Sequence, residues 1–258
     1  MLQLPPQKRT TVATDADHAS APFRVLIVKW DRLGADALRH AVARTCDQAQ
    51  TQVCHTASEA LAHLRANPVF LGLFGLTLPD MDGLDLLTVI IDENLVERRM
   101  VVSGRHDERA RQMLRHARIH GYFDSSTGDS VTLGAAIHQV AEGQVYYSPT
   151  FEGARGGERA GAGSLHQLLS ATELLVFALI GDGSDDAEAG EHLGLCANTV
   201  RCHRQRIMRK LGVQSRAELM RQAIGRGVVR FLPNRIQRPG FERELAERQS
   251  RSRNQENR

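Results

Sequence analysis

Cysteine, tryptophan and lysine are all scarce in this sequence of 258 residues. It contains four cysteines and one tryptophan, and lysines are far outnumbered by arginines. The cysteines (Cys46, Cys54, Cys196 and Cys202) form no Cys-X-X-Cys pair, which argues against a disulfide framework or a zinc site. We therefore expect reduced thiols, no bound metal and no cofactor.

Long apolar runs are absent as well. No window approaches the ~18 uninterrupted apolar residues that a transmembrane helix requires. The first twenty residues lack an apolar core and a small-residue cleavage site, so export is not indicated. We expect a cytoplasmic protein with no membrane partner. Its formal net charge is only +3, so the distribution of charge is more informative than the total.

Composition divides the chain into two candidate domains, at 22–148 and 165–231. Between them, residues 149–164 are rich in glycine and predict a flexible linker. The terminal segments, 1–21 and 232–258, are polar with little apolar periodicity, and we predict that both are disordered tails.

Short apolar runs alternate with helical patterns in the first candidate domain. The predicted strands lie near 23–28, 50–57, 69–76, 100–103 and 121–123. The predicted helices lie near 33–43, 58–67, 84–94, 107–117 and 130–142. This alternation indicates a doubly wound α/β domain with a five-stranded parallel sheet. In such sheets ligands bind beyond the carboxyl ends of the strands.

Four motifs of this domain, VLIV, GLTLPDMDGLDLL, VVSGRHDE and GYF, occur in an informative order and spacing. Together they resemble the receiver domain of two-component response regulators, and the LPDMDG loop at 78–83 is the most specific piece. The resemblance implies a flavodoxin-like fold. It also implies a pocket in which an aspartate accepts a phosphoryl group beside Mg²⁺.

Most residues that the resemblance assigns to this pocket are altered. The pocket maps onto Lys29, Trp30, Asp31, Gly75, Ser103, Tyr122 and Ser125. Lys29 and Trp30 stand in place of the acidic pair, Gly75 in place of the acceptor aspartate and Ser125 in place of the lysine. Only two of these positions have a residue type that the family also uses there. They are Ser103 after the fourth strand and Tyr122 in the fifth, an aromatic switch position.

The altered pocket predicts a receiver that is not phosphorylated at the usual place. Glycine offers no nucleophile, and an ammonium group repels the cation that carboxylates would bind. We expect Lys29 to form an internal ion pair with Asp31 or with Asp124. We expect Trp30 to fill the space left by the acidic pair, and a small-molecule pocket is the alternative.

Basic residues concentrate in the second candidate domain. Between 196 and 231 there are nine Arg or Lys residues and one acid, whereas 165–195 holds six acids and no Arg or Lys. Val200, His203, Ile207 and Leu211 recur at helical spacing and predict one buried face. The side chains predicted to point away from that face are Arg201, Arg204, Gln205 and Arg209. Arginine and glutamine suit base edges in the major groove.

The segment TVRCHRQRIMRKLGVQSRAEL at 199–219 resembles the four-helix, helix-turn-helix output domain of NarL/LuxR (FixJ-type) regulators. The resemblance implies that base edges are contacted by Arg201, Cys202 and Gln205. It implies phosphate or scaffold roles for Thr199, His203, Lys210 and Ser215. It also implies pairing of two copies through the last helix, with a candidate seam of Leu219, Met220, Ala223 and Ile224.

Three departures from this pattern predict weaker DNA binding than is usual for the family. Asp185 and Asp186 put negative charge where a helix would approach a phosphate, and Cys196 stands where a capping Ser or Thr is common. The thiol of Cys202 also allows a redox-switch hypothesis, although a small side chain that fits the groove explains the position more simply.

We therefore expect an atypical response regulator rather than an enzyme. It would bind double-stranded promoter DNA as a homodimer without needing a phosphoryl group. One alternative is an interaction module that heterodimerises with another regulator. The other is a sensor that holds a small ligand in the vacated receiver pocket.

Overall fold

A six-stranded parallel sheet and a helical domain are the two main parts of the computed structural model, which describes residues 23–46, 48–151 and 165–256. The tail predicted at 1–21 and nearly all of the linker predicted at 149–164 lie outside the described residues. Within those residues, no helix has both the length and the apolar character needed to cross a lipid bilayer.

The sheet confirms the predicted α/β class. Its strand order is β2-β1-β3-β4-β5-β6, and every neighbouring pair is parallel. The strands are β1 (Arg24–Val28), β2 (Gln50–Cys54), β3 (Val69–Phe74), β4 (Val96–Val102), β5 (Gly121–Phe123) and β6 (Tyr146–Tyr147). The five predicted strands are present. The sixth was not predicted, because its two residues are too few to form a pattern.

Helices cover both faces of the sheet because successive side chains of a strand point to opposite sides. The helices are α1 (Arg32–Thr45), α2 (Ala57–Ala66), α3 (Gly83–Asp92), α4 (Glu108–His116) and α5 (Ser130–Ala141). On β1, Val25 and Ile27 pack into the core beneath α1 and α5. Leu26 and Val28 pack into the core beneath α2, α3 and α4. The carboxyl ends of the strands are thereby left open for a site.

The helical domain begins at residue 165 and confirms the predicted helix-turn-helix. Its helices are α6 (Leu165–Leu168), α7 (Ala171–Asp182), α8 (Asp186–Leu193), α9 (Ala197–Leu211) and α10 (Arg216–Gly225). Ser170 and Asp185 begin α7 and α8 with reciprocal capping hydrogen bonds. The central helix α7 is apolar on all sides and is buried among the others.

The C-terminal segment is structured, so the prediction of a disordered tail at 232–258 is wrong. An antiparallel hairpin of β7 (Arg230–Leu232) and β8 (Arg235–Gln237) leads into α11 (Phe241–Glu256). Phe241 is buried in the core of the helical domain. The Gln237 side-chain amide is buried and donates to the Leu78 carbonyl at 2.7 Å. Contacts of a few residues with distant parts of the chain thus order a segment whose composition is polar.

Candidate functional site

Helix α9 buries one face in the core of the helical domain and exposes the opposite, polar face. Val200 and Ile207 are fully buried in the core of the helical domain, and His203 and Leu211 are half-buried. The opposite face is exposed and carries Arg201, Cys202, Gln205, Arg206 and Arg209. Arg206 was missed by the sequence analysis, although it lies one helical turn from Cys202 on the same side.

Arg204 does not belong to the exposed face, contrary to the prediction. Its Nε and Nη2 donate to the two carboxylate oxygens of Asp186 at 2.8 and 2.7 Å, which ties α9 to α8. The hydrogen bond from Arg204 lowers the pKa of Asp186. The pair removes one cation from the predicted DNA contacts. It also compensates the acidic charge that was expected to oppose a phosphate.

Other positions of this region act within the scaffold. Lys210 donates to Glu173 at 2.6 Å, and Ser215 accepts from the Glu218 N–H as the cap of α10. Burial opposes ionisation of Glu173, but hydrogen bonds from Lys210 and the Ser170 N–H outweigh it and lower its pKa. These contacts favour the scaffold alternative for Lys210 and Ser215 over phosphate contact.

The start of α9 lacks a side-chain cap, as the cysteine there predicted. Cys196 makes no capping hydrogen bond to a backbone N–H, and its Sγ instead lies 3.0 Å from the Thr199 hydroxyl. The imidazole of His203 is partly buried, and its Nδ1 finds no hydrogen-bond partner among the described residues. Burial lowers the pKa of this imidazole, and the charge of Arg206 adds to the shift.

Half of the predicted dimer seam is internal to the domain. Leu219 and Ala223 are fully buried, and Ala223 packs against Gly181 of α7. A side chain at Gly181 would collide with Ala223, so the glycine permits this close approach. Met220 is half-buried, and Ile224 is 45% exposed. Only these two members of the predicted seam reach the surface.

At the carboxyl end of β1, the side chain of Lys29 extends across Gly75. A Cβ atom added to Gly75 would lie 3.1 Å from Lys29 Cδ. The Lys29 ammonium is 3.6 Å from Asp31, so the ion pair predicted with Asp31 forms and Asp124 is not the partner. Asp31 also accepts from the Gly34 N–H at 2.6 Å as the cap of α1. An ammonium group beside a single carboxylate that already caps a helix is a poor set of ligands for Mg²⁺.

Tyr122, which the resemblance maps to an aromatic switch position, is buried inside the receiver. Its hydroxyl donates to the Ser103 carbonyl at 3.0 Å and the Arg105 carbonyl at 3.3 Å. Its ring stacks on Phe151 with centroids 4.6 Å apart. Burial raises the pKa of the Tyr122 hydroxyl to about 12. Ser125, which the resemblance maps to the position of a lysine, is exposed.

Asp124, the alternative partner predicted for Lys29, is committed elsewhere. It accepts from Ser126 Oγ at 2.6 Å and from Thr150 Oγ1 at 2.8 Å. Burial opposes its ionisation, but these hydrogen bonds, together with the nearby His106, outweigh the effect and hold its pKa at about 2. Asp124 therefore fixes the loop after β5.

Trp30 does not fill the space left by the acidic pair, because its ring is 50% exposed. It borders an open cavity of about 310 Å³ that Lys29, Ser103 and Arg105 also line. Arg230, from β7 of the C-terminal segment, completes the lining. Sequence reasoning missed Arg230 because it is 153 residues from its partner Thr77 along the chain.

The C-terminal half contacts the receiver through several defined bonds. Arg230 Nη2 donates to Thr77 Oγ1 at 3.0 Å, and Arg226 Nη1 pairs with Glu108 at 2.7 Å. The Gly240 N–H donates to Asp85 at 3.0 Å. These contacts lie at the loops after β3 and β4 and along α3 and α4, so the C-terminal segment is anchored beside the receiver pocket.

Comparison with known proteins identifies relatives of this chain. The family of bacterial regulatory proteins described as GerE, luxR family, matches residues 167–223. The chain is 32% identical over 215 residues to the transcriptional regulatory protein MctR of Rhizobium johnstonii, covering 80% of this chain and 95% of MctR. It is 29% identical to the probable transcriptional regulatory protein NarL of Mycobacterium tuberculosis, over 64% of this chain and 76% of NarL.

A solved structure shares the fold. RcsB from Salmonella enterica serovar Typhimurium, bound to promoter P1flhDC in the presence of a phosphomimetic, superposes with a TM-score of 0.55 at 16% identity. The match covers 80% of this chain and all of RcsB. The similarity to MctR extends over nearly the whole length of MctR. The chain belongs to the NarL/LuxR family of response regulators and is a DNA-binding transcriptional regulator rather than an enzyme.

Proposed function

We propose that this regulator binds promoter DNA as a homodimer without phosphorylation of its receiver domain. The observation that carries the proposal is the position of Lys29, whose side chain extends across Gly75. At the place where the family carries its acceptor aspartate, this chain has neither a nucleophile nor a set of carboxylates for Mg²⁺. A signal other than phosphate, or the abundance of the protein, would then control it.

The exposed face of α9 supports binding without activation. Arg201 and Gln205 are exposed while the C-terminal half is in contact with the receiver. Arginine pairs with guanine O6 and N7, and glutamine pairs with adenine N6 and N7. Arg206 and Arg209 add positive charge near them for phosphates. The related fold of RcsB is known in a promoter complex, which supports the same class of partner.

The absence of phosphorylation is testable by intact-mass spectrometry of the full chain. After incubation with acetyl phosphate and Mg²⁺, we expect no gain of a phosphoryl group, because position 75 has no side chain to accept one. A response regulator with an acceptor aspartate serves as the positive control under the same conditions. A stable phosphoryl adduct on an aspartate of this chain would contradict the proposal.

Dimerisation is proposed through the exposed part of α10. Ile224 is a large apolar side chain that is 45% exposed, and Met220 lies one turn before it. Burying such a pair against its copy in a second chain removes apolar surface from water. Symmetric pairing of one patch with itself is the commonest arrangement of homodimers.

The variant Ile224→Glu is expected to convert the dimer to a monomer, because two like charges would meet at the symmetric contact. Sedimentation velocity measures the change. Val131→Glu is the matched control, since Val131 is 74% exposed on α5 of the receiver. A dimer that persists in the Ile224 variant would exclude this surface as the seam.

A further inference from the structure

The cavity at the carboxyl ends of the receiver strands is lined by three cationic side chains. We call it the cationic cavity; its polar and aromatic lining consists of Lys29, Trp30, Thr77, Ser103, Arg105 and Arg230. Its volume is about 310 Å³. No carboxylate is present among the described residues that line it.

One of the three cations is neutralised from outside the cavity. Arg105 donates to Asp82 at 2.6 Å and to Asp107, and its side chain is only 6% exposed. It therefore forms part of the cavity wall. Within the part of the chain that the structure describes, the one ion pair of Lys29 is the longer contact of 3.6 Å to Asp31, which also caps a helix.

Arg230 has one guanidinium nitrogen without a hydrogen-bond partner among the described residues. Its Nη2 donates to Thr77, but its buried Nη1 has no hydrogen-bond partner among the described residues. Arg230 Nη1 lies 3.7 Å from the carboxylate of Asp82, which already accepts a hydrogen bond from Arg105. Burial lowers the pKa of Arg230, and the neighbouring charge of Arg105 adds to this. A buried donor left unpaired costs about 1–3 kcal/mol, and more for a charged group.

We propose that the cationic cavity binds a small anion with a phosphate or carboxylate head group. Arg230 and Lys29 would supply the charge, and the hydroxyls of Thr77 and Ser103 would supply further hydrogen bonds. Trp30, whose ring is half exposed at the cavity, would contact the body of an organic ligand.

Such a ligand would join the receiver to the C-terminal half of the chain. Lys29, Thr77 and Ser103 belong to the receiver, whereas Arg230 follows α10 on the first strand of the C-terminal hairpin. Binding would therefore strengthen the contact between the two parts. Anion binding in this cavity is independent of the proposed DNA binding and can be tested without DNA.

Trp30 makes the test direct because it is the only tryptophan of the chain. The full chain is titrated with inorganic phosphate, and separately with citrate, at ionic strength held constant with sodium chloride. We expect a saturable change in tryptophan fluorescence and a rise in unfolding temperature with at least one anion. Arg230→Gln and Lys29→Gln should each weaken binding by about tenfold or more, as expected for a lost hydrogen bond to a charged group.

The matched control is Arg235→Gln on the same hairpin. Arg235 donates to the backbone carbonyls of Pro79 and Asp80 and does not line the cavity, so its variant should bind the anion as the natural chain does. A response to phosphate alone or to citrate alone supports the proposal and identifies the head group. The proposal is overturned if neither anion gives a saturable change, or if both the Arg230 and Lys29 variants bind with undiminished affinity.

Discussion

Replacing Arg201 and Gln205 together with alanine is expected to abolish sequence-specific promoter binding while the fold is kept. Both side chains lie on the exposed face of α9, and neither forms a hydrogen bond or a salt bridge among the described residues. Each bidentate base contact contributes about 1–3 kcal/mol of discrimination, so losing two should cost roughly 2–6 kcal/mol. Fluorescence anisotropy on a footprinted promoter fragment, beside a scrambled fragment, measures this loss.

The control for this double variant removes the same net charge elsewhere. Arg39→Ala on α1 is suitable, because Arg39 is exposed and its ion pair among the described residues is with Asp36 alone, at 3.0 Å. Arg39 lies on the receiver and not on the exposed face of α9, so its variant should keep the promoter affinity of the natural chain. The double variant should in addition lose some non-specific affinity, because Arg201 is a cation beside the DNA. If the Arg201 and Gln205 double variant keeps its promoter footprint, α9 is not the reading helix and the chain acts through another partner.

Replacing Asp82 with alanine is expected to lower the free energy of unfolding of the receiver by about 3–5 kcal/mol, the usual cost of breaking a buried ion pair. Asp82 is 3% exposed and accepts from the Leu84 N–H as the cap of α3. It also accepts from Arg105 at 2.6 Å and lies 3.7 Å from Arg230. Its removal leaves buried guanidinium charge undercompensated and weakens the contact with the C-terminal segment.

Denaturant unfolding followed by circular dichroism measures the effect of the Asp82 variant. Asp36→Ala is the control, because its ion pair with Arg39 is exposed and such pairs contribute at most about 1 kcal/mol. A loss in the Asp82 variant no larger than in the Asp36 variant would show that Asp82 does not hold this part of the molecule together.

The receiver fold was predictable because its signal is local and repeated. Runs such as 69–74 are apolar on both faces, and each is followed by a helical pattern. Strand β6 was not predicted because a strand of two residues is too short to show an alternation of apolar and polar side chains. The structured C-terminal segment escaped it because Phe241 and Gln237 are ordered by distant partners, while the surrounding composition is polar.

The sequence predicted which face of α9 is exposed, but it did not predict which of its side chains form ion pairs. Helical spacing identified the buried face through Val200 and Ile207, and it thereby identified the exposed one. It could not show that Arg204 is bound by Asp186, because that contact depends on how α8 packs against α9. Ala223 was misassigned for a related reason, since an apolar side chain on a helix fits a core and a dimer seam equally well. Only the tertiary packing distinguishes the two.

Promoter binding by the full chain, with and without a phosphodonor, tests the central claim most directly. Footprinting on genomic fragments would be performed with the untreated protein and with protein incubated with acetyl phosphate and Mg²⁺. We predict the same protected sites at the same protein concentrations in both cases, since Lys29 and Gly75 leave no acceptor. A gain or loss of protection that depends on the phosphodonor and accompanies a phosphoryl adduct on the chain would contradict it.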